Sequence, residues 1–386
     1  MAVRRAYLDW NASAPLSEAA RMAMVGALDA ANPSSVHEEG RAARRLVEDA
    51  RRSVAALVNG RPEHVVFTSG ATEAASMLLT PDWQMGRAAL RMGRLYVCEA
   101  DHPCLLSGGR FVGERVTRIG VGSDGILDLA ALEMALTAHD KADSLLLVAI
   151  HAANNETGVI QSVEEIGRIV KAAGGILVLD AVQAAGRIPL DVSAGCADYL
   201  ILSSHKIGGP KGVGAIVAAA DLMMPQPLVR GGGQEKGHRA GTENLPGIAG
   251  FGAAALEALS GLERIAELRQ KRDAVESIVA ELVPDAVFFG AAAPRLANTS
   301  FFAIPGMKAE TAQIAFDLAG VALSSGSACS SGKVGPSHVL KAMGVEDGAG
   351  ALRVSVGPAT SDEDIALFRK ALAGIVARRA ASDRAA

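Results

Sequence analysis

Lys206 and Asp180 are the residues whose surroundings most nearly dictate a chemistry. Lys206 closes the run Tyr199-Leu-Ile-Leu-Ser-Ser-His-Lys206. Its apolar part reads as a short buried strand, and its end offers two hydrogen-bonding residues, Ser203 and His205, and an amine. A lysine held partly out of water at such a place can form a Schiff base. Gly208, Gly209, Gly212 and Gly214 follow and let the backbone turn tightly and approach a ligand. Ile176-Leu-Val-Leu-Asp180 is a second apolar run, ending in a carboxylate. An amine at one strand mouth and a carboxylate at a neighbouring one meet the needs of pyridoxal phosphate. The lysine holds the aldehyde carbon, and the aspartate keeps the pyridine nitrogen protonated so that the ring accepts electrons. Singly, each residue has a plainer reading, a solvated lysine and a turn-forming aspartate. The pair carries the inference.

Other segments supply matching parts. Thr68-Ser-Gly-Ala-Thr-Glu73 stands at a strand-to-helix junction, where the N–H groups of Ala71 and Thr72 would face outward as phosphate donors. Serine and threonine are also ordinary helix caps, so the weight comes from Ser203 and His205 on the other side. His102 precedes Pro103; it is either a structural turn residue or a group against the cofactor ring that moves protons. In Ile150-His-Ala-Ala-Asn-Asn-Glu-Thr-Gly158 the adjacent asparagines suit a turn, or recognition of a carboxylate and the ring hydroxyl, which Gln183 could also reach. Cys329 lies in Ser324-Ser-Gly-Ser-Ala-Cys-Ser-Ser-Gly-Lys-Val-Gly-Pro336, with no apolar periodicity to draw it inward. It is expected to be an exposed, mobile, reactive thiol, with an ordinary pKa of about 8.5. Cys98 falls within a strand pattern and is expected in the core. Cys104 and Cys196 are undecided, with the core favoured.

The elements that must position these residues alternate between strand and helix. A helix is expected over 40–58, strands over 65–68, 95–98, 145–150, 177–179, 199–202 and 215–217, and no assignment is made for 81–94. Several strands are apolar throughout, as in sheets covered by helices on both faces. The polar, glycine-rich stretch from Gly231 to Asn244 is a linker or a binding loop. Residues 246–283 read as a long helix broken near Ser260-Gly261. Beyond it come strands over 298–302, 321–323 and 352–356, helices over 308–319 and from Ser361, and a frayed tail over 380–386.

With 386 residues, the chain is too long for one ordinary core, and two domains are expected. Its 49% hydrophobic and 21% charged residues are those of a soluble globular protein. A net charge of −4 suggests neither a nucleic-acid groove nor a membrane-surface patch. No signal peptide and no apolar run of spanning length is legible, so a cytoplasmic protein is expected. The four cysteines form no C-x-x-C pair, and no H-E-x-x-H occurs, so neither a disulfide framework nor a metal is expected.

In order and spacing these segments resemble the cysteine desulfurases of the nitrogen-fixation type, in the class V aminotransferase branch of fold-type I pyridoxal phosphate enzymes. The resemblance covers nearly the whole chain. It includes Tyr7-Leu-Asp-Trp-Asn-Ala, Asn32-Pro-Ser-Ser-Val-His37, the segments quoted above, Arg239-Ala-Gly-Thr-Glu-Asn244 and Leu352-Arg-Val-Ser-Val-Gly357. It implies an α/β fold: a large domain over 15–255 with a mainly parallel seven-stranded sheet covered by helices, of the aspartate-aminotransferase type. A smaller α/β domain, formed by 1–14 and 256–386, would carry the Cys329 loop.

The resemblance also implies roles. Lys206 would hold the cofactor and shuttle protons, Asp180 would pair with the pyridine nitrogen, and His102 would stack on the ring. Gln183 and Asn155 would lie on the hydroxyl side. Ala71, Thr72, Ser203 and His205 would hold the phosphate, with Thr242 completing that site from the other subunit of a homodimer. Arg353, assisted by Asn155, would grip the carboxylate of L-cysteine. Cys329 would take the sulfur as a persulfide, leaving L-alanine, and deliver it to an acceptor such as an iron–sulfur scaffold.

The chain departs from the family pattern at Ala74-Ala-Ser-Met77, at 81–94 and at Leu177-Val-Leu179, places that bear on partner choice and helix packing. A selenocysteine lyase or another pyridoxal-dependent cysteine lyase is the alternative, and a non-catalytic binding protein of the same fold is a third reading. The Cys329 segment weighs against the former, and the presence of Lys206, His102 and Cys329 against the latter.

Overall fold

The computed structural model describes residues 4–140, 144–195, 197–326, 337–345 and 350–385, with backbone only from 380. Cys196 and Cys329 therefore lie outside the described residues.

The strands of the first part of the chain are β1 (Ala6–Tyr7), β2 (Val65–Thr68), β3 (Asp82–Met85), β4 (Ala88–Cys98), β5 (Val116–Ile119), β6 (Leu145–His151), β7 (Ile176–Asp180), β8 (Tyr199–Ser203), β9 (Gly214–Ala218) and β10 (Met223–Pro225). The later ones are β11 (Val287–Phe288), β12 (Thr299–Ala303), β13 (Val321–Ala322), β14 (Ser324–Ser325) and β15 (Ala351–Ser355). The helices are α1 (Glu18–Gly26), α2 (Glu38–Leu57), α3 (Ala71–Leu78), α4 (Pro103–Leu106), α5 (Leu129–Thr137), α6 (Val163–Ala172), α7 (Leu245–Gly261), α8 (Ile265–Leu282), α9 (Ala309–Leu318), α10 (His338–Ala342) and α11 (Asp362–Ala385).

Seven strands form the main sheet in the order β5-β4-β6-β7-β8-β9-β2. The first five are parallel, and β9 runs antiparallel to both its neighbours. Every residue of β7, β8 and β9 is buried, because a parallel sheet roofed by helices on both faces leaves no polar side. Register then places the chemistry. His151 stands across from Asp180 on the neighbouring strand, and Asp180 across from Ile201. Three carboxyl-terminal strand mouths lie side by side, the usual ligand position in such sheets.

A second sheet, β11-β12-β15-β14, is antiparallel throughout, and β1 pairs with β13. One core cluster joins Ala6 and Leu8 to Val275, Phe302, Phe316 and Phe368. Phe289, Phe301 and Leu340 instead pack into the core of the main sheet, so the two sheets meet across a shared apolar seam.

Three readings need correction. Residues 81–94 form the antiparallel pair β3–β4, which lengthens β4 and, with β10, widens the sheet. The final helix continues to Ala385 where a frayed tail was expected. The stretch from Leu245 to Leu282 includes a window long and apolar enough to cross a membrane by composition, although no run of that kind was read from the sequence. Its α7 part packs against α1 and α2. Gly252 makes the approach possible, since a Cβ there would stand 2.6 Å from the Cα of Ala50.

Candidate active site

A cavity of about 580 Å³ opens at the mouths of β6, β7 and β8 and at the start of α3. Its wall includes Ala71, Thr72, His102, Asn155, Asp180, Gln183, Ser203, His205, Lys206 and Arg353. Of the residues assigned by sequence, Thr242 is exposed and borders a smaller adjoining cavity of about 250 Å³, next to Ser69 and Gly212. A larger groove along α6 and residues 188–195 is lined by none of them.

Lys206 follows β8 after one 3-10 turn. Its Nζ donates to the backbone oxygens of Asn11 (2.6 Å) and Ala12 (3.0 Å), so the N-terminal segment closes one side of the cavity. Asp180 ends β7, is buried, and accepts the Val182 N–H at 3.0 Å. Burial pushes its carboxyl up to about 6, and Asp101 adds to the rise, while the Val182 N–H, His151 and Lys206 oppose it. A buried carboxylate with one hydrogen-bond donor among the described residues is an acceptor in want of a cation.

Beneath it, Asp101 accepts the backbone N–H groups of Cys98 (2.7 Å) and His151 (2.9 Å) and faces His151 Nδ1 at 2.5 Å. Gln161 accepts the Leu127 N–H through Oε1 and donates Nε2 to the Gly125 oxygen, which fixes its orientation. Its Nε2 also faces His151 Nε2 at 3.1 Å. With its amide so held, Gln161 fixes the His151 ring from one edge while Asp101 holds it from the other. Cys98, Asp101 and His151 gather within 4.8 Å, but Asp101 and His151 already bond one another.

His102 caps α4, its Nδ1 accepting the Cys104 N–H at 3.2 Å, with Cys104 Sγ 3.1 Å away. The ring proton is therefore on Nε2. Burial, then the charge of Lys206 and His338, lowers its pKa to about 4. At neutral pH this imidazole is uncharged and placed to donate from Nε2; it is not set up as a base. His205, held by Ser13 Oγ at 3.2 Å, is likewise lowered to about 4 by burial and by Lys206 and Lys211.

At the α3 end, Glu73 accepts the Ser69 N–H at 2.8 Å and pairs with Arg239 Nε at 2.9 Å. Burial would raise its carboxyl, but Arg239 and Ser69 outweigh this and lower it. The turn sits tightly on β9, because a Cβ on Gly214 would lie 2.7 Å from Gly70. On the far side, Arg353 from β15 donates to the Asn155 oxygen (2.8 Å) and to Asp9 Oδ1 (2.7 Å). Its Nε is buried and has no hydrogen-bond partner among the described residues. Gln183 donates Nε2 to the Asn11 oxygen at 3.0 Å and accepts from Arg187 through Oε1, which fixes its amide as well.

Asp9 and Asn11 were not singled out by sequence reasoning; only their place in the Tyr7-Leu-Asp-Trp-Asn-Ala segment pointed to them. Cys98 is fully buried, as expected. Cys104 is a half-buried wall of the cavity and not a core residue. Burial pushes its thiol well up, which makes it a poor nucleophile.

This donor set fits pyridoxal phosphate on the structure's own terms. The start of α3 offers N–H groups and the dipole that favour a phosphate, Asp180 awaits a cationic nitrogen, and an amine lies between them.

The chain belongs to the aminotransferase class-V family, whose pattern it matches over residues 6–368. Within that family its relatives are cysteine desulfurases. The cysteine desulfurase of Cereibacter sphaeroides is 38% identical, with 97% of this chain and 96% of the relative covered. An IscS-like cysteine desulfurase of Mycobacterium tuberculosis is 36% identical over the same shares. Among solved structures, the NifS-like protein of Rickettsia africae superposes with a TM-score of 0.85 at 29% identity, covering 96% of this chain and 99% of that one. A protein named SspA, solved in complex with cysteine, matches with a TM-score of 0.74 at 27% identity over 92% of this chain and all of its own.

Proposed function

We propose that the protein is a pyridoxal-phosphate-dependent cysteine desulfurase. It removes sulfur from L-cysteine, leaves L-alanine, and carries the sulfur on Cys329. Division into a cofactor lobe over 15–255 and a lobe of 1–14 with 256–386 is part of the same reading. So are a homodimer in which Thr242 serves the partner's phosphate site, a cytoplasmic setting, and an acceptor protein such as an iron–sulfur scaffold.

Bound in the cavity, pyridoxal phosphate supplies an electron-accepting ring that weakens the bonds at the substrate carbons. Ala71, Thr72, Ser203 and His205 would hold its phosphate, Asp180 its ring nitrogen and Lys206 its aldehyde carbon. Arg353 binds the substrate carboxylate through its guanidinium fork. Lys206 moves protons, and His102 donates from Nε2. Cys329 forms a bond to the substrate sulfur as the carbon–sulfur bond breaks. The electron pair stays with the carbon, which gains a proton to become the methyl group of alanine. Cysteine and a thiol thus become alanine and a persulfide, with no outside oxidant.

One observation supports this most: a buried guanidinium, whose Nε has no partner among the described residues, lines the same cavity as Lys206 and Asp180. Purified protein given pyridoxal phosphate, L-cysteine and a reductant should release alanine and sulfide in equal amounts, and Cys329→Ser should release almost none. Pyruvate and ammonia in place of alanine, or full turnover by Cys329→Ser, would favour a lyase and contradict the proposal.

A further inference from the structure

The residue that follows the Cys329 segment is bonded to a buried carboxylate, and the glycine that precedes the segment passes close to the same group. Gly326 leaves β14 with its N–H on the Ala351 oxygen at 3.1 Å, and a Cβ there would stand 2.9 Å from Glu156 Oε2. Where the described chain resumes, Ser337 Oγ donates to that same Glu156 oxygen at 2.5 Å. The next residue, His338, donates its Nε2–H to the backbone oxygen of Asp101 at 2.8 Å. Glu156 adjoins Asn155, and Asp101 adjoins His102, so the two anchors flank the cavity. Val339 and Leu340 of α10 are buried in the core of the main sheet, which completes the attachment.

The carboxylate is costly where it is. Glu156 is 1% exposed. Burial raises its pKa to about 7, against the pull of the Ser337 hydroxyl and the Arg353 charge. A fold that needed only packing here would be more stable with an apolar side chain.

We propose that Glu156 and Asp101 are positioning residues that hold Ser337 and His338 on the cofactor lobe. They would thereby fix the point at which the chain returns from the Cys329 segment to the cavity wall. The inference rests on the desulfurase reading for its purpose, and on the contacts for its existence.

Two readouts separate these. In hydrogen–deuterium exchange of the holoenzyme, amides over 338–343 exchange faster in Glu156→Gln and in Ser337→Ala, and return to wild-type rates in Ser337→Thr, which keeps both hydroxyl and helix cap. In single-turnover assays, alanine formation falls about 10- to 100-fold in Glu156→Gln, the scale of a misplacement near 1 Å. Cysteine binding, followed by the cofactor absorbance in a Cys329→Ser background, is unchanged by the same substitution. Unaltered exchange in Glu156→Gln overturns the anchoring whatever the protein turns over. Cysteine binding weakened as much as turnover overturns a role specific to Cys329. Wild type that forms no alanine overturns the functional reading, while the exchange result still decides the anchoring.

Discussion

At the scale of single residues, the site works by arranging what each group lacks. Arg353 has two of its nitrogens occupied by Asp9 and the Asn155 oxygen and one buried nitrogen unsatisfied among the described residues. A carboxylate in the cavity would complete it. Arg353→Lys keeps the charge but loses the fork. We expect kcat/KM for cysteine to fall about 10- to 100-fold, mostly through KM, in line with about 1.5–3 kcal/mol for a hydrogen bond to a charged group; an unchanged KM in steady-state kinetics would remove Arg353 from substrate binding. Lys206 and Asp180 were legible in the sequence as a pair, each ending an apolar run, and the structure sets both in one cavity. Asp9 and Asn11 were not, since their partners Arg353, Lys206 and Gln183 are distant in the chain. The His102 tautomer was also out of reach, because it depends on which way Nδ1 faces.

At the scale of elements, the sheet does the positioning. Parallel pairing of β6, β7 and β8 sets His151, Asp180 and the approach to Lys206 in a row, and α3 is aimed by its contact with β9. That contact is close enough to test. In Gly214→Ala the new methyl must move Gly70, 2.7 Å away, and with it the N–H groups of Ala71 and Thr72. Overpacking of this kind costs about 1–3 kcal/mol, so the protein should still fold while its affinity for pyridoxal phosphate drops about tenfold or more. Equal affinity in a cofactor titration would mean that the turn does not hold the phosphate. The apolar runs of the central strands were readable from composition alone. The β3–β4 hairpin was missed because Asp82-Trp-Gln-Met85 and Ala88-Ala-Leu-Arg91 have mixed polarity. They make a half-exposed edge whose pairing partner decides the fold.

At the scale of the whole molecule, the two sheets bring separate parts of the reaction together. The main sheet presents Lys206 and Asp180, the second presents Arg353, and the N-terminal segment bridges them through Asp9 and Asn11. The seam between the sheets was not legible, because it depends on Phe289, Phe301 and Leu340 packing into the core of the main sheet. In the proposed reading, the arrangement serves to pass sulfur from the substrate to Cys329. The most direct measurement is the intact mass of the peptide carrying residue 329 after one equivalent of L-cysteine, taken without reductant and compared with the peptides carrying Cys98, Cys104 and Cys196. The account predicts that the Cys329 peptide alone gains one sulfur atom, in step with the alanine formed. Alanine formed with no added sulfur at Cys329, or with the sulfur on Cys104, would contradict it.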